Sequence, residues 1–263
     1  MVESNRALAG RYDYDFQGID FSQLADQSRT CMFEQARGHT LAYRDVDGCR
    51  AAGGPLVLAG HQPQLFHAGV WIKSFALSVA ARRLGGHAVN LLIDNDILRN
   101  PRIRVPTGSR HEPRVASMAF DRSGDPVPYE QRRVRDDALF RSFGKRVEEA
   151  ARSCVDRPVV HDLWPMVLQA AERSPNLGQR LAEARHRLEG QWGQDTWEVP
   201  LSRVCRSRPF VWFTAHLLAN LPRLFDVYNL SLAEYRQANG VRSRSHPVPD
   251  LVLDDGWLEA PFW

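Results

Sequence analysis

The sequence predicts an α/β protein: a parallel sheet, with the strands in view too few to complete it, and a large helical insertion. Two short apolar runs and the helix between them carry that expectation. "PLVLAG" at 55–60 is apolar, ends in Gly and reads as a buried strand. "AVNLLI" at 88–93 reads as a second one. Between them, from Gly69 to Leu84, Trp71, Ile72, Phe75, Ala76, Val79 and Ala80 recur at three- and four-residue spacing. Strand, helix and strand in so short a span make a βαβ unit, whose strands are expected to be parallel.

The elements follow in order. Residues 1–50 are polar, aromatic and without a clear period, and read as a lead-in arm. Val70, Leu77 and Ala81 lie on other faces of the 69–84 helix, so that helix is expected to be covered on several sides. Gly85 and Gly86 stop it. Residues 97–135, rich in Arg and Pro, suggest loops and short strands such as "RIRVP" and "VASMAF". Helices then dominate. Asp136 or Asp137 can cap one bearing Leu139, Phe140, Phe143, Val147 and Ala150. Asp162 can cap "LWPMVLQAAER", with Pro165 in its first turn. Ser174 and Pro175 open a helix with Leu177, Leu181, Ala184 and Leu188 on one stripe. A further helix covers 209–221, and Ser231 with Glu234 form a capping-box pattern before a helix closing at Gly240. The reading divides the chain into a core at 1–135, a helical region at 136–240 and a return segment at 241–263. The last residues, "LVLDDGWLEAPFW", stop on an aromatic with no polar tail, and with so few strands in view the chain reads as part of a longer α/β protein.

Composition excludes several function classes. A formal charge of +3, spread without a basic run, gives no footprint for nucleic acid. Only Lys73 and Lys145 among 34 basic residues are lysines, which a GC-rich genome explains. Cys31, Cys49, Cys154 and Cys205 form no CxxC pair, so no metal or redox centre of that kind is expected. The N-terminus has no signal core, and no apolar run of about 18 residues suggests a membrane span. Cytoplasm is the expected setting, with the thiols reduced.

Chemistry is expected at the carboxyl ends of the two strands, where open α/β sheets bind ligands. The first strand leads into His61 and Gln62, then Phe66, His67 and Gly69 at the head of the helix. The second ends in Asp94, Asn95 and Asp96. A helix N-terminus attracts phosphate or carboxylate. Lys73 in the early helix opposes the dipole, which an anion at the helix start would offset; a snorkelling lysine on an apolar helix is the plainer reading. His61 and His67 could donate to an anion, move protons or simply serve structure. Asp94 and Asp96 could orient an amine, act as a general base or hold Mg²⁺ through water, or only end a strand. Arg99, Arg102, Arg104, Arg110 and Arg114 follow, and one strand face carrying Arg102 and Arg104 could clamp an acidic substrate, although a solvated edge is the plainer reading. His216, four residues after Trp212, is expected to be a buried structural histidine, and the Pro-bound stretch from His246 to Asp250 a packed loop.

"GHQPQLFHAGVWIKSFAL" followed by "LLIDND" resembles the start of the core domain of the bacillithiol-biosynthesis cysteine-adding enzymes, over roughly residues 55–100. The resemblance implies a Rossmann-like fold and a ligase that joins cysteine to the amine of a glucosaminyl-malate. It also implies that His61, Gln62 and Lys73 line the ligand loop, with Asp94, Asn95 and Asp96 across the cleft; Gly69 at the helix start and Arg99 after the acidic end are further ligand-binding candidates. In that reading Asp96 or Asp94 is the base, and His67 assists at the anionic partner. The acidic end is Asp-Asn-Asp rather than the longer Glu-Asp-His-Asp type, and the chain is much shorter than such enzymes. A more distant resemblance is to HxGH nucleotidyltransferases and WbqC-like proteins, although Val70 stands where the second histidine would be. A nucleotide, with or without Mg²⁺, is therefore a candidate cofactor, and no dedicated metal site is expected. Nucleotide binding or transfer, and a non-catalytic fragment whose helical region forms a homodimer, are the alternatives to a ligase acting on a small anionic substrate.

Overall fold

The structure is a computed structural model and describes residues 2–46, 54–65 and 67–262; Cys49 and Phe66 lie outside them. In chain order the elements are α1 (Val2–Ala9), α2 (Phe21–Leu41), β1 (Leu56–His61), α3 (Ala68–Arg83), β2 (His87–Leu92), β3 (Arg102–Gly108), β4 (Pro113–Ala119), α4 (Asp137–Ala151), α5 (Val160–Gln169), α6 (Leu177–Gln191), β5 (Trp197–Pro200), α7 (Leu201–Val204), α8 (Arg208–Ala219), α9 (Leu221–Ala238), β6 (Leu253–Asp254) and β7 (Trp257–Leu258). The protein is α/β: a parallel sheet of order β1-β2-β5 stands among many helices. Among the described residues no helix is long and apolar enough to cross a membrane.

The chain divides into two compact units, residues 29–205 and residues 1–28 with 206–263. These boundaries differ from those expected at 135/136 and 240/241. The reason is that α4, α5 and α6 share a core with the β3–β4 ribbon: Phe140, Phe143, Val147, Trp164, Leu177 and Leu181 pack with Val105 and Phe120. Gly144 lets α4 approach α5 closely, since a Cβ there would stand 2.9 Å from Trp164 Cβ. Trp164 in turn donates from Nε1 to the Phe140 carbonyl at 2.9 Å.

The βαβ unit forms as the apolar pattern requires. Gly85 adopts φ +62° beyond the end of α3, where other residues would be strained. Gly86 passes so close to Pro55 that a Cβ would collide with the Pro55 carbonyl oxygen, which accepts from His87 N at 2.9 Å. The coverage of α3 differs from expectation. It buries Ser74, Leu77, Ser78 and Ala81, while Ile72, Phe75 and Val79 are exposed. Leu77 and Ala81, which pack with Ala88, share the buried face with two serines, and Ser78 Oγ donates to Asp195 Oδ1 at 2.6 Å.

Other elements correct the sequence reading. The expected lead-in arm contains α1 and α2; Asp20 starts α2 by accepting from Gln23 N at 2.8 Å. Asn176, not Ser174, caps α6, accepting from Gln179 N at 2.8 Å. Asp162 lies in the first turn of α5 and not at its cap. The expected capping box at Ser231 and Glu234 falls inside α9, which starts at Leu221 with Pro222 in its first turn and has no breaker before Gly240. In the unit formed by 1–28 and 206–263, the 246–250 loop is held by Arg236, which donates to the His246 and Val248 carbonyls and to Asp250 Oδ1. His216 in the same unit is half-buried against the Phe16 ring, at 4.7 Å between centroids.

Three strands lie outside the sequence reading, the two-residue β6 and β7 and, in the parallel sheet, β5. β5 is fully buried, yet it carries Glu198 beside Asn90 of β2. Glu198 Oε1 accepts from Asn90 Nδ2 at 2.6 Å and from Arg185 Nη2. Arg185 also donates from Nη1 to both oxygens of Glu189, at 2.9 and 2.8 Å, and Trp71 Nε1 of α3 donates to Glu189 Oε1 at 2.6 Å. Burial works against the charged Arg185 guanidinium, but Glu198 and Glu189 more than reverse this, so its pKa is raised. Burial, with Arg44 and Arg185, pushes His186 well below the usual imidazole range. The neutral ring donates from Nε2 to the Thr196 carbonyl at 2.9 Å and accepts at Nδ1 from the Tyr43 hydroxyl at 2.7 Å.

Two expectations follow for stability. Arg185→Met leaves two buried carboxylates without their cation and lowers unfolding free energy by about 3–5 kcal/mol, read from the urea midpoint. The second concerns pH. Burial holds His39 down at about 4, with Glu198 opposing and Arg203 reinforcing. His39 and His186 therefore stay neutral in the fold while the unfolded chain protonates them near pH ~6.5. The unfolded state then binds more protons as pH falls, so stability drops between pH ~6.5 and ~4, by up to about 1.4 kcal/mol per pH unit for each imidazole. Urea denaturation across that window measures it.

Candidate functional site

The three parallel strands end on one edge of the sheet, and their loops are tied to one another there. After β1, Gln62 donates from Nε2 to Asp96 Oδ2 at 2.7 Å. After β2, Asp94 accepts at Oδ1 from Ser202 N at 2.9 Å and at Oδ2 from Ser202 Oγ at 2.6 Å. Ser202 lies in α7, directly after β5, and its N–H belongs to the first turn, where helix donors lack intrahelical partners. The chain between the ribbon and α4 closes the same edge: Glu130 N donates to the Asp94 carbonyl at 2.8 Å and Tyr129 N to the Asp96 carbonyl at 2.9 Å. Asn176, the cap of α6, holds Tyr129 in place by donating from Nδ2 to its carbonyl at 2.6 Å.

The two acids of the Asp-Asn-Asp end thus do different things. Asp94 is buried, with both oxygens committed to Ser202. Asp96 is half-buried; its Oδ1 accepts from Ile97 N at 2.7 Å and its Oδ2 from Gln62. Each carboxylate oxygen has two lone pairs, so Asp96 retains acceptor capacity. Asn95 between them is exposed, as is Arg99. Burial raises the Tyr129 phenol, and the Asp96 charge raises it further, so Tyr129 stays a neutral donor; its hydroxyl reaches Gln64 Oε1 at 3.5 Å. Cys205 follows α7. Burial, then the charges of Asp94 and Glu130, raise its thiol, which makes it a poor nucleophile.

The histidines sit apart in function. His61 Nδ1 lies 3.2 Å from the Gln62 carbonyl oxygen, at the end of β1. His67 is the N-cap of α3: its Nδ1 accepts from Gly69 N at 3.0 Å. An imidazole is a weak signal for a cap, since Ser, Thr, Asp and Asn are preferred. Capping by Nδ1 puts the proton of the neutral ring on Nε2, which is left as a donor. The Gly69 and Val70 N–H groups at the helix start already have acceptors in His67. Lys73 is exposed and has no ion-pair partner among the described residues. Of the expected site residues, Gln62 and Asp96 are in direct contact; Asp94 turns to Ser202, and His67 to its own helix.

Sequence reasoning missed Ser202, Tyr129 and Glu130, which approach the edge from distant parts of the chain. It also missed the Arg185–Glu189 pair, whose four-residue spacing in a helical segment is a readable signal. Among the described residues no cluster of three His, Cys, Asp or Glu side chains suited to a metal ion occurs. No known family model matches the chain, and no curated protein matches its sequence.

Asp94→Asn and Ser202→Ala each remove hydrogen bonds to a buried carboxylate site, and each is expected to cost about 1–3 kcal/mol in urea unfolding. In a double-mutant cycle the two losses should be less than additive, because both remove the same contact.

Proposed function

We propose that this chain is a ligase-like enzyme that forms an amide between the carboxyl group of an amino acid such as cysteine and the amine of a small anionic substrate, at the carboxyl ends of β1 and β2, the carboxyl oxygen leaving as water or with a nucleotide phosphate that activates it. The observation that carries this reading is the hydrogen bond from Gln62 Nε2 to Asp96 Oδ2 at 2.7 Å, which brings the loop after β1 against the loop after β2. That edge is where open α/β sheets bind ligands. Asp96 is half-buried and keeps acceptor capacity, as a base taking a proton from an attacking amine must. Asp94 is buried beneath Ser202 whereas Asp96 is half-buried and open to a substrate, so the base role falls to Asp96. His61 and Gln62 border the same loop, His67 has Nε2–H as a donor for an anionic group, and Lys73 adds a positive charge one turn into α3. The resemblance over residues 55–100 supplies the reaction type, and a cytoplasmic setting that keeps Cys154 and Cys205 as thiols accords with it.

The test is condensation of cysteine with a glucosaminyl-malate, followed by mass spectrometry with and without ATP, CTP and Mg²⁺. Asp96→Asn is expected to lower turnover by ~100-fold or more while leaving the urea midpoint near that of the parent protein. Asp94→Asn should instead lose stability, with turnover following the folded fraction. Full activity in Asp96→Asn would remove the base assignment. Nucleotide binding without any condensation would favour a nucleotide-binding role instead.

A further inference from the structure

The two edges of the β3–β4 ribbon differ. Phe120 N donates to the Pro101 carbonyl at 2.9 Å and Ser109 N to the Glu112 carbonyl at 3.2 Å. With the register of the two strands, these bonds aim the backbone of Ile103 and Val105 at β4 and leave that of Arg102, Arg104 and Pro106 pointing outward. On β4 the outward carbonyls are taken: Ser117 accepts from Arg102 Nη2 and Ala119 from Arg146 Nη2, each at 2.7 Å. On β3 the Arg104 N–H and C=O have no hydrogen-bond partner among the described residues.

That open edge borders an apolar cavity of about 200 Å³ in the unit formed by residues 29–205. Ile103, Arg104, Val105 and Pro106 line it in succession. Side chains of a strand alternate between its faces, so four consecutive residues line one cavity where the strand turns its edge to it. Leu65, Trp71, Phe143, Val147 and Leu163 supply the apolar walls. A dry cavity of ~150 Å³ takes a benzene ring, so this one takes a large apolar side chain. The exposed Arg104, Pro106 and Val159 mark its open side.

The side chains of β3 decide what suits this edge. Ile103 and Val105 face inward, into the core shared with α4 and α5. Arg104 faces outward and has no ion-pair partner among the described residues. A strand laid alongside keeps the same alternation. Its residue opposite Arg104 points outward, where an acid is favoured, and the neighbours of that residue point inward, where an apolar side chain reaches the cavity. A second copy of β3 is the wrong occupant, because two-fold pairing here sets Arg104 opposite Arg104.

We propose that the β3 edge docks an extended peptide segment of a partner protein, in which an acid stands between two large apolar residues. The segment lies antiparallel to β3, the slightly more stable pairing, so that its acidic residue exchanges both backbone hydrogen bonds with Arg104. An apolar neighbour fills the cavity, and the acid meets the Arg104 guanidinium. Pro106 has no N–H to offer, so the paired stretch is short. The site does not depend on the reaction proposed at Asp96. Its occupancy is read by binding and not by turnover, so the two readings fail independently.

The experiment titrates the full chain, by calorimetry, with the peptide Ser-Leu-Glu-Leu-Ser, acetylated and amidated at its ends. Binding is expected to saturate below ~1 mM, and the Arg104 amide should then exchange its hydrogen more slowly. Methylating the backbone nitrogen of the peptide's glutamate removes a bond to the Arg104 carbonyl and should weaken binding by ~10-fold or more. Ser-Ala-Glu-Ala-Ser, which has nothing to fill the cavity, should not bind measurably. Ser-Leu-Lys-Leu-Ser should bind about fivefold more weakly than the glutamate peptide, and Arg104→Glu, at an exposed position, should reverse that preference. The proposal is overturned if the glutamate peptide does not saturate by ~1 mM. It is also overturned if the methylated or the alanine peptide binds equally well, which would mean that the edge or the cavity is not used. An unchanged preference in Arg104→Glu overturns it as well.

Discussion

The buried Arg185 guanidinium is the point on which the sheet and its helices depend. Its two terminal nitrogens are shared between Glu189, on the same helix, and Glu198, in the last parallel strand. Removing a charge from water is costly, and such a group persists only where partners of opposite sign and further hydrogen bonds meet it. Here Asn90 of the central strand and Trp71 of the crossover helix complete the set. One cation therefore ties α6, β5, β2 and α3 together. A purely apolar contact at the same place could slide in register, whereas a guanidinium held by two carboxylates has few other ways to be satisfied.

That constraint also explains what could be read in the chain and what could not. β1 and β2 were legible as short continuous apolar runs and α3 by its three- and four-residue spacing, each bounded by Gly or by turn residues. β5 was not, because it has four residues with a glutamate second and a proline last, and a buried charge does not look like a strand interior until its partner is known. α2 was missed for the opposite reason. It is long but mostly polar, with Leu24, Ala36 and Thr40 its fully buried positions, so no stripe stands out. The capping box inside α9 shows that a local signal yields to the surrounding helix when nothing breaks the chain before it.

The candidate site was legible in its halves but not in its wiring. Sequence placed His61, Gln62, Asp94 and Asp96 at two loop positions, and the structure brings the loops together through Gln62 and Asp96. The split between the two acids could not be foreseen, because it depends on Ser202, more than a hundred residues away, and on a helix of four residues. The cap made by His67 was equally hidden, since imidazole is an uncommon cap and the residue reads first as chemistry. The apolar side of α3 misled in a different way: Ile72 and Phe75 have helical spacing but are exposed, while Leu77 and Ala81, with Ser74 and Ser78, are buried.

Gly86 carries a consequence of its own. The chain there slides past Pro55 with no space for a side chain, at the head of the two strands that deliver Gln62 and Asp96. Drift at this codon is closed to every other amino acid unless β1 yields, and a yielding β1 would carry its loop away from its neighbour. A side chain at position 86 would thus be felt at the Gln62–Asp96 junction some twenty ångströms along the strands, six residues at ~3.3 Å each.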